Sequence, residues 1–454
     1  MKELRPDTKR VHFVSLGCPK NLVDTEIMLG FLMRDGYQVV DQPEQADTVV
    51  VNTCGFIEAS KQESLDKILE MAELKGNSAV QKVVVAGCLT QRYQEDLVKG
   101  LPEADLFVGS GQFQNIAEIL KKSKAGHQEK RFFNLPTYLQ EDQTPRVNSG
   151  PRHRAYLKIS EGCKKRCAFC AIPLIRGNLQ SRSLKSIVSE AKLLVAGGVK
   201  ELIVVSHDFT DFGWDLRKHN EQAQETPAAL LKALAEQSGA RWIRVMYNYP
   251  DGISPETLSL MKEHESLIPY FDMPLQHINN QVLKSMNRRM TREKIESTIG
   301  NIRDLFPEAI LRTQFIVGFP GETEEQFEEL VEFVKHSQFD RVGCFVYSPE
   351  EGTKAAALSG QVNQKIKARR HDELMSVQQE ISRAKQKDWI GRTVEVLVDG
   401  VSEETELLLA GRHAGQAPEI DGVTYINDGQ ASPGDLVKVE ITDAMDYDLV
   451  GRIL

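Results

Sequence analysis

An apolar run of five to eight residues followed by a stretch with helical spacing recurs along most of this chain. Near its start VHFVSLG, DTVVVN and KVVVAG are separated by NLVDTEIMLGFLMRDG and EASKQESLDKILEMAEL, and DLFVGS follows. Neighbouring parallel strands need a crossover, usually a helix, so this alternation predicts an open parallel α/β sheet over residues 1–126. Gly36 stands where the C-cap of the first helix is expected. Residues 127–153 are polar and contain three prolines, which reads as a connecting loop, with the linker set at 127–148. Six more units follow over 149–381, with strands AYLKIS, ELIVVS, WIRVMY, YFDMPL, ILRTQFIV and RVGCFVYS. Six units rather than eight predict a partial (β/α)6 barrel. The charged stretch Gln364–Trp389 reads as a helix with a solvated face or as a strut between domains. Beyond it TVEVLVDG, ELLLAGR, VTYIND, DLVKVEIT and YDLVGRIL predict a small closed β-barrel of OB type over 382–454.

The whole is an α/β multidomain chain, and its 454 residues fit about three domains. No run approaches the ~20 apolar residues that span a bilayer. The opening MKELRPDTKRVHF lacks the apolar centre of a signal peptide. A cytoplasmic protein without membrane attachment is expected. Seven cysteines are too few for a disulfide framework in a chain of this length, which turns attention to metal binding and catalysis.

Three of the seven crowd into EGCKKRCAFC, where Cys163, Cys167 and Cys170 are spaced C-x3-C-x2-C. Buried packing is a poor account of thiols interleaved with Lys164, Lys165 and Arg166. Structural zinc prefers four ligands in two close pairs. Iron–sulfur clusters are held by thiolates, and three thiolates leave one iron open for substrate chemistry. The triplet follows the first strand of the partial barrel, at the end where such barrels carry their active sites. Cys18, Cys54 and Cys88 each close a predicted strand of the first segment. In an open parallel sheet those ends line one crevice, so the three would converge as a second cluster site, or be buried strand-end cysteines by coincidence. Cys344 lies inside an apolar strand and reads as a small core residue.

The C-x3-C-x2-C triplet with Phe169 before its last cysteine resembles the signature of the radical S-adenosylmethionine (SAM) enzymes. Together with the second triplet, and with SLGCPKNLVDTE, NTCGFIEAS, IPLIRGNLQSR, PLQH and FIVGFPGET, the chain resembles the radical SAM methylthiotransferases over nearly its whole length. That resemblance implies two 4Fe–4S clusters, on Cys18, Cys54 and Cys88 and on Cys163, Cys167 and Cys170, and a C-terminal TRAM domain. It implies SAM at the open iron of the barrel cluster, its cleavage to a 5′-deoxyadenosyl radical, and replacement of an unreactive C–H by C–SCH3. The radical abstracts hydrogen, the N-terminal cluster presents sulfur, and a second SAM donates the methyl.

Other polar residues are candidates for the SAM site. Arg176 and Arg182 either neutralise carboxylate or cluster charge or sit exposed at a helix start. His207 and Asp208 follow the second barrel strand, where they face SAM or solvent, and His207 departs from the glutamine usual in the family. Gly318, in FIVGFPGET, permits close backbone approach to a ligand or serves a turn. His277 reads as a core histidine.

The family divides between enzymes that modify tRNA adenosine and one that acts on the β-carbon of an aspartate in small-subunit ribosomal protein S-twelve. From Lys385 to Leu454 the chain has six basic and fourteen acidic residues, a net of −8 against −9 for the whole. Such a domain repels a phosphate backbone and suits a basic ribosomal protein, so direct RNA binding through it is not expected. The sequence therefore points to the ribosomal-protein branch, with a separate electron donor and sulfur donor. The tRNA enzyme is the alternative, and an iron–sulfur carrier without a substrate the more distant one.

Overall fold

A computed structural model describes residues 9–124 and 129–454. Residues 1–8 and the domain limit at Gly126 lie outside them. Two compact units emerge: residues up to Ser149 with Lys158–Ile187 and Glu350–Thr353, and Gly150–Leu157 with Val188–Pro349 and Lys354–Leu454. Among the described residues no helix is long and apolar enough to cross a membrane.

The first unit is built on a six-stranded sheet in which every pair is parallel. Its order is Gln38–Val39, Arg10–Ser15, Thr48–Thr53, Lys82–Gly87, Leu106–Gly109 and Arg131–Phe132. Thr48–Thr53 is buried at every position, which is why the central strands read as unbroken apolar runs rather than alternations. Each outermost strand is only two residues long, too short to leave any periodicity, and the sequence reading contains neither. Helix Pro19–Arg34 ends at Asp35 with Gly36 in the left-handed region, as its position predicts. The chain leaves Arg10–Ser15 for the strand on one side and then returns to Thr48–Thr53 on the other. That reversal is a topological switch point, and ligands of doubly wound sheets bind outside the carboxyl ends of the strands there.

The polar tract before the barrel is tied to this unit. Glu26, buried on the first helix, accepts from Arg146 at 2.6 and 2.9 Å and from the Ser149 backbone N–H at 2.9 Å. A short antiparallel pair, Ser160–Glu161 with Gln180–Ser181, closes the loop that bears the clustered cysteines.

In the second unit Glu201–Val205 pairs parallel with Trp242–Val245, and Arg154–Lys158 flanks them. Tyr270–Gln276, Ile310–Val317 and Arg341–Val346 form a second parallel set. A backbone bond from Asn248 N to Asp272 O (2.8 Å) joins the two sets, and Ile243 N bonds Ser266 O (2.7 Å) just before the second begins. Six strands thus follow one another in chain order as the expected partial barrel. Helix Gln364–Lys387 buries Lys367, Arg370, Leu374, Gln378, Ile381 and Ser382 along one stripe. Gln378 donates to the Phe339 carbonyl (3.0 Å) and Ser382 to the Asp446 carbonyl (2.6 Å). Of the two readings for this helix, the strut describes it.

The C-terminal strands close a barrel in the order Thr393–Val401, Leu409–His413, Thr424–Asp428, Leu449–Ile453, Leu436–Ala444. One neighbouring pair is parallel, and five strands in this closed arrangement match the OB type. Val396, Val398, Ile426, Val439, Ile441 and Leu449 fill it. A buried polar seam lies at its base: Glu201 accepts from Arg412 (2.6 Å) and Arg244 (2.8 Å). Burial works against the Glu201 carboxylate, but Arg412 and Arg244 hold it below the usual range.

His413 makes this seam sensitive to acid. Its Nδ1 accepts the Gly415 backbone N–H at 3.0 Å, which requires that nitrogen to be unprotonated. Burial, followed by Arg341, Arg244 and Arg412, pushes its pKa down to about 3. An unfolded histidine takes up its proton near ~6.5, so below that value the unfolded state binds more protons. Stability is therefore full above about pH 6.5 and falls as pH drops toward 3, by up to ~1.4 kcal/mol per unit. His413→Gln is expected to flatten this slope between about pH 7 and 5 in urea unfolding. Trp389, whose ring centre lies 4.5 Å from that of His413, supplies the fluorescence signal. An unchanged slope would mean that His413 titrates normally in the fold.

Candidate functional site

Three strand ends at the switch-point crevice lead into cysteines. Cys18 is the N-cap of helix Pro19–Arg34, and its carbonyl accepts from Asn21 (2.9 Å) and Leu22 (3.1 Å). Cys54 follows Thr48–Thr53, with both its backbone N–H and carbonyl bound by Ser64 Oγ, at 3.1 and 3.0 Å. Cys88 is the buried first residue of helix Cys88–Gly100. Gly17 has φ +88°, and a Cβ on it would meet Cys54 Cβ at 2.7 Å and Sγ at 3.0 Å. Only glycine lets the turn into Cys18 lie this close to Cys54.

The thiols lie within one another's fields. Burial pushes Cys54 up, with a smaller contribution from Cys18. Burial pushes Cys88 up to about 12, against the pull of Arg176 and with Cys18 and Cys54 adding to the rise. Cys88 by itself keeps its proton at neutral pH, and a bound metal would displace that proton. None of the seven cysteines is in a disulfide. Among the described residues no three His, Cys, Asp or Glu side chains are arranged around a single ion. Three convergent thiols are soft ligands that could hold the separate corners of a cluster.

In the loop bearing the other triplet, the Cys163 N–H donates to the Gly177 carbonyl (3.3 Å) and the Cys170 N–H to the Cys167 carbonyl (3.2 Å). Arg166 donates to the Cys163 carbonyl at 2.7 Å. All three cysteines are partly exposed. The loop turns back through helix Ile172–Ile175, where Ala171 and Ile175 pack with Cys88 in one apolar cluster.

Arg176 closes that helix and is 1% exposed, which removes the reading of an exposed helix-start arginine. Its Nε and Nη2 donate to Cys88 Sγ at 3.3 and 3.0 Å, and Nη2 donates to Asn21 Oδ1 at 3.1 Å. Its Nη1 reaches Asp24 at 2.6 Å and Glu161 at 3.3 Å. Lys158 pairs with the same Asp24 and, at 2.9 Å, with Glu161. Burial opposes both cations, yet the carboxylates of Asp24 and Glu161 hold Arg176 and Lys158 charged. Arg182 is also buried and donates to the Lys158 carbonyl (2.7 Å) and Ser186 Oγ (2.8 Å), which makes it a brace for the loop's ends.

In the second unit His207 and Asp208 follow Glu201–Val205 at its carboxyl end. Asp208 is buried and caps a single 3-10 turn, accepting from Thr210 N (3.0 Å) and Oγ1 (2.7 Å). Gly318 follows Ile310–Val317 with φ +73°, and a Cβ there would meet Lys367 Cγ at 2.3 Å. Its N–H donates to Glu322. His277 is fully buried, its Nδ1 accepting from Asn279 N at 3.0 Å, and Cys344 is buried in its strand; both are core residues as read.

Sequence reasoning missed Asn21, Asp24, Lys158 and Glu161. Asn21, Asp24 and Thr25 are buried polar residues at i, i+3 and i+4 of the first helix. A polar stripe on a helix that must cover a sheet was the available signal.

Three family models match these bodies in order: the uncharacterized protein family UPF0004 over residues 10–109, the radical SAM superfamily over 157–334 and the TRAM domain over 390–454. The chain is thus a radical SAM enzyme with an added N-terminal sheet domain and a terminal β-barrel. Among solved structures, the radical SAM methyltransferase TsrM from Kitasatospora setae superposes with TM-score 0.55 at 15% identity, covering 74% of this chain and 73% of that one. The cobalamin-dependent SAM radical enzyme OxsB gives 0.51 at 14%, covering 80% and 56%. At such identities the likeness concerns the fold alone. A ribosomal protein uS12 methylthiotransferase RimO from Bdellovibrio bacteriovorus is 66% identical over 454 residues, 100% of this chain and 99% of that protein. Another from Trichlorobacter lovleyi is 46% identical over 446 residues, 98% of each. The chain belongs to the RimO family of radical SAM methylthiotransferases.

Proposed function

We propose that this chain converts the β-carbon C–H of an aspartate in ribosomal protein uS12 to C–SCH3, consuming one SAM for the radical and another as methyl donor. The observation that carries the reading is that Cys88, of one thiol triplet, packs against the segment following the other, through Ala171, Ile175 and Arg176. Family membership implies SAM and an iron–sulfur cluster. The finer assignment is ours: one 4Fe–4S cluster on Cys163, Cys167 and Cys170, and a second on Cys18, Cys54 and Cys88. When bound, the first supplies the electron that cleaves SAM and the second a place to present sulfur. Among the chain's other residues, His207, Asp208 and Gly318 belong to strand ends suited to orienting SAM and excluding water. Domain limits at 1–126, 149–381 and 382–454, with a linker over 127–148, go with this division of work.

For the substrate, the charge of the terminal barrel separates into two groups. Glu395, Asp399, Glu419 and Asp446 pair with Arg241, Arg412, Arg154 and Arg383 of the same unit. Glu403, Glu404 and Glu406 are exposed on the connection between the first two barrel strands. That outward acidity complements a basic ribosomal protein and opposes a phosphate backbone, which favours uS12 over tRNA. A cytoplasmic setting follows from such a substrate, as do separate electron and sulfur donors. An electron carrier alone would gain nothing from two sites with open irons.

Mass spectrometry of uS12 and of tRNA from cells with and without this chain tests the proposal. Methylthiolated aspartate is expected only in cells that contain the chain, with tRNA unchanged. A methylthio-adenosine that depends on the chain, with uS12 unmodified in both, would move the assignment to the tRNA branch.

A further inference from the structure

Arg176 has few donors to spare. Its Nε and Nη2 are directed at Cys88 Sγ, Nη2 also at Asn21, and Nη1 at Asp24 and Glu161. Every one of these partners belongs to the protein, and all are buried. A guanidinium so committed is poorly placed to clamp the carboxylate of a small substrate. Its chain position is equally informative. Glu161 and Arg176 bracket the Cys163–Cys170 loop and pair with one another across its base, and Arg176 also pairs with Asp24 of the first helix. Asn21, one turn before Asp24, donates in turn to the carbonyls of Leu16 (2.8 Å) and of Asn52 and Thr53 (both 3.3 Å). These carbonyls lie in the segments leading into Cys18 and Cys54. One fixed fork therefore connects the loop of one triplet with all three strand ends of the other.

We infer that Arg176 is a positioning residue for the N-terminal cluster: it orients Cys88 and donates hydrogen bonds to its ligating sulfur, raising that cluster's reduction potential. The inference rests on the two-cluster reading above and adds the residue that ties the two sites together. Hydrogen bonds to ligand sulfur and a nearby positive charge both stabilise the more negative, reduced form of a cluster. Asp24, Glu161 and Lys158 hold the fork in place, because an arginine at this depth needs paired counter-charges.

The test uses full-length protein with Cys163, Cys167 and Cys170 replaced by Ala, so that only the N-terminal cluster is present. Its midpoint potential, followed by electron paramagnetic resonance, is expected to move to a more negative value in Arg176→Gln. A smaller shift is expected in Arg176→Lys, which keeps the charge but not the fork. Equal potentials in all three, with iron content unchanged, would overturn the inference. A second measurement needs no change at residue 176. With 15N-labelled arginine, pulsed resonance of the reduced cluster should detect a 15N coupling, and its absence would equally refute the contact. If the parent variant takes up no iron, the two-cluster reading falls first and the inference falls with it. A failure of Arg176 alone leaves a cluster whose potential ignores the substitution.

Discussion

Replacing Cys163, Cys167 and Cys170 together by Ala is expected to leave about half the iron in anaerobically reconstituted protein and to reduce SAM cleavage below detection. In the proposed cluster each thiolate holds one corner, and no other cysteine stands in this loop, so there is no substitute ligand set. The fold should survive. The three cysteines are partly exposed, and the loop is held from its base by the Ser160–Glu161 and Gln180–Ser181 pair and by Arg182. The remaining iron should be retained, because the N-terminal thiols have their own supports: Ser64 on the Cys54 backbone and the close approach of Gly17. Iron analysis and chromatographic assay for 5′-deoxyadenosine read both effects. Unchanged iron in the triple variant would sink the assignment of the barrel cluster.

Much of this arrangement is legible in the chain. The ten long strands announce themselves because buried parallel strands are continuous apolar runs, and the C-x3-C-x2-C loop because its ligands are local in sequence. Convergence of Cys18, Cys54 and Cys88 could be inferred only through topology: each follows a strand, and parallel strands end on one edge. Gln38–Val39 and Arg131–Phe132 were not legible, since two residues at a sheet edge carry no period. Arg176 was legible as a residue but not in its partners. Nothing local links position 176 to Asn21, Asp24 or Cys88; that contact exists only once the first helix has packed against its sheet. Helix Gln364–Lys387 misleads in a similar way, because the charged and amide residues that suggest a solvated face include the ones that pack, Lys367, Arg370 and Gln378 among them. Gln378 and Ser382 meet backbone carbonyls there instead of water.

Replacing Cys18, Cys54 and Cys88 by Ala is expected to separate the two halves of the reaction. Cleavage of SAM needs the barrel cysteines, whose loop keeps its own anchors at Gly177 and Gln180 in this variant. On the proposed two-cluster reading, forming the C–S bond needs the N-terminal thiols, because the barrel triplet is given over to SAM and Cys344 is the one cysteine left. The buried ion network should persist, since Asp24, Glu161, Lys158 and Arg176 balance one another without Cys88. Arg176 would lose two hydrogen bonds, a cost of about 1–3 kcal/mol that full-length protein of this size can absorb. Activity is therefore lost at one step and kept at the other. The most direct measurement takes both products from one reaction, with reduced enzyme, SAM, a sulfur source and uS12: 5′-deoxyadenosine by chromatography and the aspartate-bearing uS12 peptide by mass spectrometry. The account predicts near-normal 5′-deoxyadenosine and no methylthiolated peptide from the Cys18, Cys54 and Cys88 variant, with both products from the unmodified chain. Methylthiolated peptide formed by the variant at the normal rate would contradict it and make those cysteines structural.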